Sequence, residues 1–119
     1  MGRELCKTIK EITTNGAFQK DYSLKDQIRR SLGSIMDNIA EGFGRGGNKE
    51  FIQYLSFSKG SAVEVQSQLY RALDYQYINQ EIFDQLYEST NHIIGKINNL
   101  MKYLTSSENK GTKYKNTKL

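Results

Sequence analysis

Residues 23–47 read SLKDQIRRSLGSIMDNIAEGFGRGG, and this stretch decides the fold. Leu24, Ile28, Leu32, Ile35 and Ile39 follow one another in steps of 4, 4, 3 and 4, a spacing that lines up side chains on one face of an α-helix and on neither face of a strand. Ser23 is the expected N-cap, with Asp26 three residues on. The run Gly42-Phe43-Gly44-Arg45-Gly46-Gly47 is too flexible to extend the helix and marks a turn.

The same periodicity continues on both sides. Upstream, Leu5, Ile9 and Ile12 predict a helix over about residues 3–14, stopped by Asn15-Gly16, and a short link carrying Phe18 and Tyr22 leads into the central helix. Downstream, Asn48 is the expected cap of a third helix reaching to about Ile78. Its seam is Phe51, Leu55, Ser58, Ala62, Val65, Leu69 and Ala72, alternating steps of 4 and 3; this is a heptad pattern. A second stripe, Ile52, Val63, Tyr70, Leu73 and Tyr77, gives that helix more apolar surface than one neighbour covers, so the helix is expected to sit centrally or at a subunit contact, with this stripe the candidate oligomer interface. A fourth helix, capped by Asn79, carries Ile82, Leu86, Thr90, Ile93, Ile97, Leu100 and Leu104. Long seams joined by short links predict an all-α, antiparallel up-and-down four-helix bundle over residues 1–104. Gly33, Gly95 and the small-residue patch at Ser58, Gly60, Ser61 and Ala62 are expected to let neighbouring backbones approach closely, offsetting the cost of glycine inside a helix.

Composition fits one helical domain. The chain has 119 residues, 37% hydrophobic and 25% charged, with no proline. No apolar run is long enough for a membrane span or a secretory h-region, and Cys6 and His92 are each the only residue of their type. The expectation is therefore a cytoplasmic protein. Two histidines on Glu-x-x-His motifs would be needed for a di-iron bundle, and one Cys with one His cannot complete a zinc site, so no metal or other cofactor and no enzymatic activity is expected. The net charge is +4, and the four lysines Lys110, Lys113, Lys115 and Lys118 against Glu108 place +3 of it after Leu104. Residues 105–119 thus read as a basic, disordered tail, either a merely solvated terminus or a segment with affinity for phosphate backbones.

Two further patterns bear on function. Gly42, Gly44 and Gly47 match G-x-G-x-x-G formally, but a helix precedes them where a dinucleotide site requires a strand. Arg45 and Lys49, beside the amides opening the third helix, and Arg29-Arg30 on the second are the candidate nucleic-acid contacts, together with the tail lysines. Asn38, Glu41, Arg45, Ser61 and Glu64 are the expected structural polar network; an arginine beside two carboxylates keeps them ionised, which suits a clamp better than a proton donor.

Gln27-Ile28-Arg29-Arg30-Ser31, Ser34-Ile35 and Asn38-Ile39-Ala40-Glu41-Gly42 with Arg45, followed by Phe51, Leu55, Gly60-Ser61 and Glu64, resemble the four-helix-bundle family of ribosomal RNA intervening-sequence proteins, 23S rRNA-associated and found in bacteria. The resemblance runs from about Leu5 to Leu104. It implies a homopentameric barrel of small bundles, and fold relatives that include the accessory variability determinant of diversity-generating retroelements, which partners a reverse transcriptase and binds nucleic acid. Met36 and Gln19 stand where the family usually has proline. The expected function is then a non-enzymatic, homo-oligomeric bundle that binds RNA or DNA, or a partner handling them such as a ribosomal component or reverse transcriptase. The alternative is a structural or protein-docking scaffold with no nucleic-acid ligand.

Overall fold

A computed structural model describes the backbone of residues 2–118 and the side chains of residues 2–107. Among these residues the secondary structure is entirely helical: α1 (Gly2–Thr13), α2 (Gly16–Lys20), α3 (Tyr22–Gly44), α4 (Asn48–Asp74) and α5 (Gln80–Lys118). The apolar stripes meet as the periodicity requires. Leu24, Ile28, Leu32 and Ile35 of α3, Leu55, Ala62, Val65, Leu69 and Ala72 of α4, and Leu86, Ile93, Ile97 and Leu104 of α5 form one core, to which α1 adds Leu5 and Ile9. Contacts give the directions. Gln27 meets Arg71 and Ser34 meets Ser61, so α4 returns along α3. Gln66 meets Thr90 and Tyr70 meets Phe83, so α5 returns along α4. Thr13 meets Arg29, which lays α1 antiparallel to α3, and it also touches α5.

Local ends differ from the sequence expectations in instructive ways. Asp21, two residues before Ser23, is the N-cap of α3: its carboxylate accepts the Leu24 N–H at 3.1 Å. The same carboxylate accepts the Tyr77 hydroxyl at 2.8 Å. These two bonds, the backbone amide first and the tyrosine second, hold the Asp21 carboxyl below its ordinary range, while the bond to Asp21 raises the Tyr77 phenol. The link after α1 coils into the single turn of α2, which buries Phe18 against Tyr77 with ring centroids 5.2 Å apart. Gly47, without a side chain to offer, is the N-cap of α4 in place of Asn48. At the far end α4 stops at Asp74, short of Ile78. Gln76 takes a left-handed conformation (φ 63°), its N–H bonding the Leu73 carbonyl at 2.9 Å and the Tyr77 N–H bonding the Ala72 carbonyl at 2.8 Å. This is a Schellman stop, usually made by glycine. Asn79 does cap α5, accepting the Ile82 N–H at 2.8 Å.

The glycines need correcting as well. A Cβ at Gly33, Gly60 or Gly95 would find nothing within 4 Å, so none of them admits a close neighbour within the chain, although glycine inside a helix costs about 1 kcal/mol relative to alanine. Gly42 does, against groups that cannot swing aside, whereas Gly2 meets only the flexible end of Met36. A Cβ at Gly42 would lie 2.7 Å from Tyr54 Cβ and 3.4 Å from the Phe51 backbone. The ends of α3 and α4 are therefore drawn together at Gly42, three residues before the Arg45–Gly47 link, where Gly46 turns the chain at φ 82°.

Candidate functional site

A ladder of polar side chains runs along the outer edge of the α3–α4 pair. At one end Arg71 Nη2 donates to Gln27 Oε1 at 3.0 Å. Next, Gln68 Nε2 donates to Ser31 Oγ (3.0 Å), which donates to Glu64 Oε2 (3.2 Å). Asn38 Nδ2 then donates to Ser34 Oγ (2.9 Å), and the Ser61 hydroxyl bonds the same oxygen (2.8 Å). At the turn, Arg45 Nη2 bonds Glu41 Oε1 at 2.8 Å and Tyr54 Oη at 3.0 Å, its guanidinium 5.4 Å from the Tyr54 ring centre. The five residues expected as one network are thus parted among three rungs. Ser31 and Glu41 are ten residues apart on α3, about 15 Å, so Glu41 and Glu64 do not form a carboxylate pair. Within the ladder Gln68 Oε1 is buried with no hydrogen-bond donor.

The basic residues fall into two states. Arg45 is bound to Glu41, the one ion pair among the described residues; its charge is tied to a carboxylate on the same helix face. Arg29, Arg30 and Lys49 are exposed and, among the described residues, have no carboxylate within ion-pair distance. Arg29 donates from Nε and Nη2 to the hydroxyl of buried Thr13, at 3.3 and 3.0 Å. It faces Lys10 of α1 across a groove of about 240 Å³ that also includes Cys6, Leu32 and Gly33. Partial burial raises the Cys6 thiol above its ordinary value, so it is neutral at physiological pH. Lys10 was not among the sequence candidates. It stands 19 residues from Arg29, and only the packing of α1 on α3 unites them. The backbone of residues 105–118 continues α5 as a helix, where the sequence reads as a disordered tail; the side chains of Lys110, Lys113, Lys115 and Lys118 lie outside the described residues.

The second α4 stripe is divided. Ile52 and Leu73 are half-buried against the core of their own chain. Tyr77 lies beyond the end of α4, stacked on Phe18. Val63 and Tyr70 each keep 50% of their surface exposed, although Tyr70 also rests on Phe83 and Tyr87 of α5 with ring centroids 4.8 and 5.5 Å away. Phe57 is open to a similar degree, and Phe43 at the turn is 75% exposed. Between α1 and α5 runs a wider groove of about 790 Å³ with Leu5 and Ile93 among its apolar walls and Glu4, Glu88, Lys96 and His92 among the polar ones. No group of three His, Cys, Asp or Glu side chains that could hold a metal ion occurs among the described residues, and no helix among them is long and apolar enough to cross a membrane.

These features define a helical bundle with an exposed helix face and scattered unpaired cations. The chain belongs to the family described as 23S rRNA-intervening sequence protein, whose profile matches residues 1–99. Among solved structures it is similar to a protein of unknown function from the S23 ribosomal protein family of Bacteroides thetaiotaomicron, with a TM-score of 0.77 and 24% identity over 85% of this chain and 94% of that one. That likeness concerns the fold. None of the curated proteins matches the chain.

Proposed function

We propose that this chain is a non-enzymatic, cytoplasmic bundle that self-associates as a pentamer through the exposed side of α4 and contacts RNA or DNA, or a protein that handles them such as a ribosomal component or a reverse transcriptase. Membership of the 23S rRNA-intervening sequence family is the observation that carries the nucleic-acid half of this reading. Arg29, Arg30 and Lys49 support it, since cations without carboxylate partners are free to replace the counterions of a phosphate backbone. Five copies at +4 each would pool about +20, converting weak individual contacts into avidity. The self-association half rests on Phe57, Val63 and Tyr70, large side chains left half open on a helix where Gly60 leaves room for close approach.

Light scattering on a sizing column tests assembly: a mass of five subunits is expected, and a stable monomer overturns it. Val63→Glu with Tyr70→Glu should shift the mass towards monomer. RNA retention measured against salt tests the ligand. A steep decline with salt is expected, with a shallower decline once the chain is cut after Leu104; binding indifferent to salt overturns the electrostatic reading. A scaffold without nucleic-acid ligand is the second reading, favoured by the neutralisation of Arg45 by Glu41. Retention of one specific protein from nuclease-treated extract, with no RNA held by the purified chain, would establish it.

A further inference from the structure

The groove between α1 and α3 combines three features that the fold itself does not require. Lys10 and Arg29 flank it as two positive charges with no carboxylate within ion-pair distance among the described residues. Arg29 is held in place without being neutralised. Its Nε and Nη2 both bond the Thr13 hydroxyl, and Thr13, fully buried, in turn donates to the Lys10 carbonyl at 3.1 Å. A hydroxyl fixes the fork and leaves its full charge and its remaining N–H donors for another acceptor. Gly33, in the middle of α3, lines the groove where a Cβ would meet nothing within 4 Å, so the missing side chain serves no contact inside the chain and keeps the space above Leu32 and Cys6 open.

We propose that this groove is a phosphodiester subsite for a nucleic-acid backbone, with Arg29 and Lys10 gripping one backbone phosphate and the attached sugar lying over Leu32 and Gly33. Charge complementarity selects the occupant: two uncompensated cations beside a small apolar floor suit a polyanion with an uncharged sugar between its phosphates. At about 240 Å³ the space is below the usual range of a whole small-molecule pocket, roughly 300–1,000 Å³, and matches a backbone unit better than a complete free nucleotide. A pre-oriented guanidinium binds phosphate at a smaller ordering cost than a free one. The proposal rests on the nucleic-acid reading above and narrows it to one place.

The test is fluorescence-anisotropy titration of the full chain with a labelled oligouridine of about 20 nucleotides at several salt concentrations, for the wild type, Lys10→Gln, Arg29→Gln and Gly33→Leu. Each charge removal should weaken binding about three- to tenfold and lower the slope of log affinity against log salt by about 0.7. Gly33→Leu, which keeps both charges and fills the floor, should weaken binding while leaving the circular dichroism unchanged. Arg29→Gln leaves the Thr13 hydroxyl with an altered partner, so Lys10→Gln and Gly33→Leu carry the test if that variant misfolds. Wild-type protein that retains no RNA overturns the broader reading. Wild-type binding with unchanged affinity and slope in Lys10→Gln and Gly33→Leu overturns the groove alone. A change in sizing-column mass for Gly33→Leu would assign the groove to a second copy of the chain and likewise overturn it.

Discussion

Two glycines of one helix separate the two halves of this molecule. Gly42 is pressed against Tyr54 and the Phe51 backbone, at the end of an α3–α4 pair stitched by a ladder of hydrogen bonds. Gly33 faces open space beside α1, a helix bordered by grooves on both its α3 and α5 sides. The α3–α4 pair is thus a registered hairpin, whereas α1 is a shorter helix laid along α3 with gaps at its margins. Tight packing resists change in volume and loose packing absorbs it, so the same substitution should have different costs in the two places.

The largest effect that can break this contrast is in the core. Leu69→Ala on α4, fully buried between α3 and α5, should destabilise towards the upper end of about 2–5 kcal/mol, and Leu5→Ala on α1, beside an open groove, towards the lower end; equal losses in urea denaturation would end the distinction. Gly42→Ala should follow, at about 1–3 kcal/mol, because backbone and a Cβ carbon cannot swing aside. The same change at Gly33 should instead stabilise by about 0.5–1 kcal/mol through helix propensity, and a loss there would mean that α3 packs against something on that side. The smallest effect sharpens the boundary at Asp21. Its folded carboxyl titrates below the ordinary value of about 3.9, so the unfolded chain binds the proton first. The stabilisation from its two bonds is present above that value and is lost as pH falls through the lowered folded pKa. Asp21→Asn, still a good N-cap, should leave neutral-pH stability nearly intact and flatten the acid limb of the stability curve; an unchanged acid limb would remove Asp21 as its source.

Where the chain repeats an apolar residue every three or four positions, its burial was readable. Every seam residue of α4 from Leu55 to Ala72 is buried, and only Phe51, at the start, is partly open. The helix ends were less readable because their decisive groups are ambiguous locally. Ser23 and Asp21 are both good caps, and the choice between them is made by Tyr77, 56 positions from Asp21. Gln76 carries no mark of a left-handed stop, so α4 looked four residues longer than it is, and Tyr77 looked like part of its outer stripe. Glu41 with Arg45 was legible as a pair four residues apart on one helix; the assignment of Glu64 to Ser31 was not, since it depends on the α3–α4 register. Gly33 and Gly42 are likewise indistinguishable as letters, and what separates them is the distance between helix axes at each level of the bundle. The candidate cations shared this fate. Arg29 could be named from the sequence, but its neighbour Lys10 belongs to another helix.

The Tyr77–Asp21 hydrogen bond also has a kinetic consequence. It ties the first turn of α3 to the far end of the hairpin that α3 begins, and a loop of that length closes only after the intervening helices have docked. Such a bond is expected to form after the rate-limiting barrier. Tyr77→Phe should therefore leave the refolding limb of a chevron plot in place and lift the unfolding limb, making this single hydroxyl a latch on the lifetime of the native chain and not an aid to reaching it.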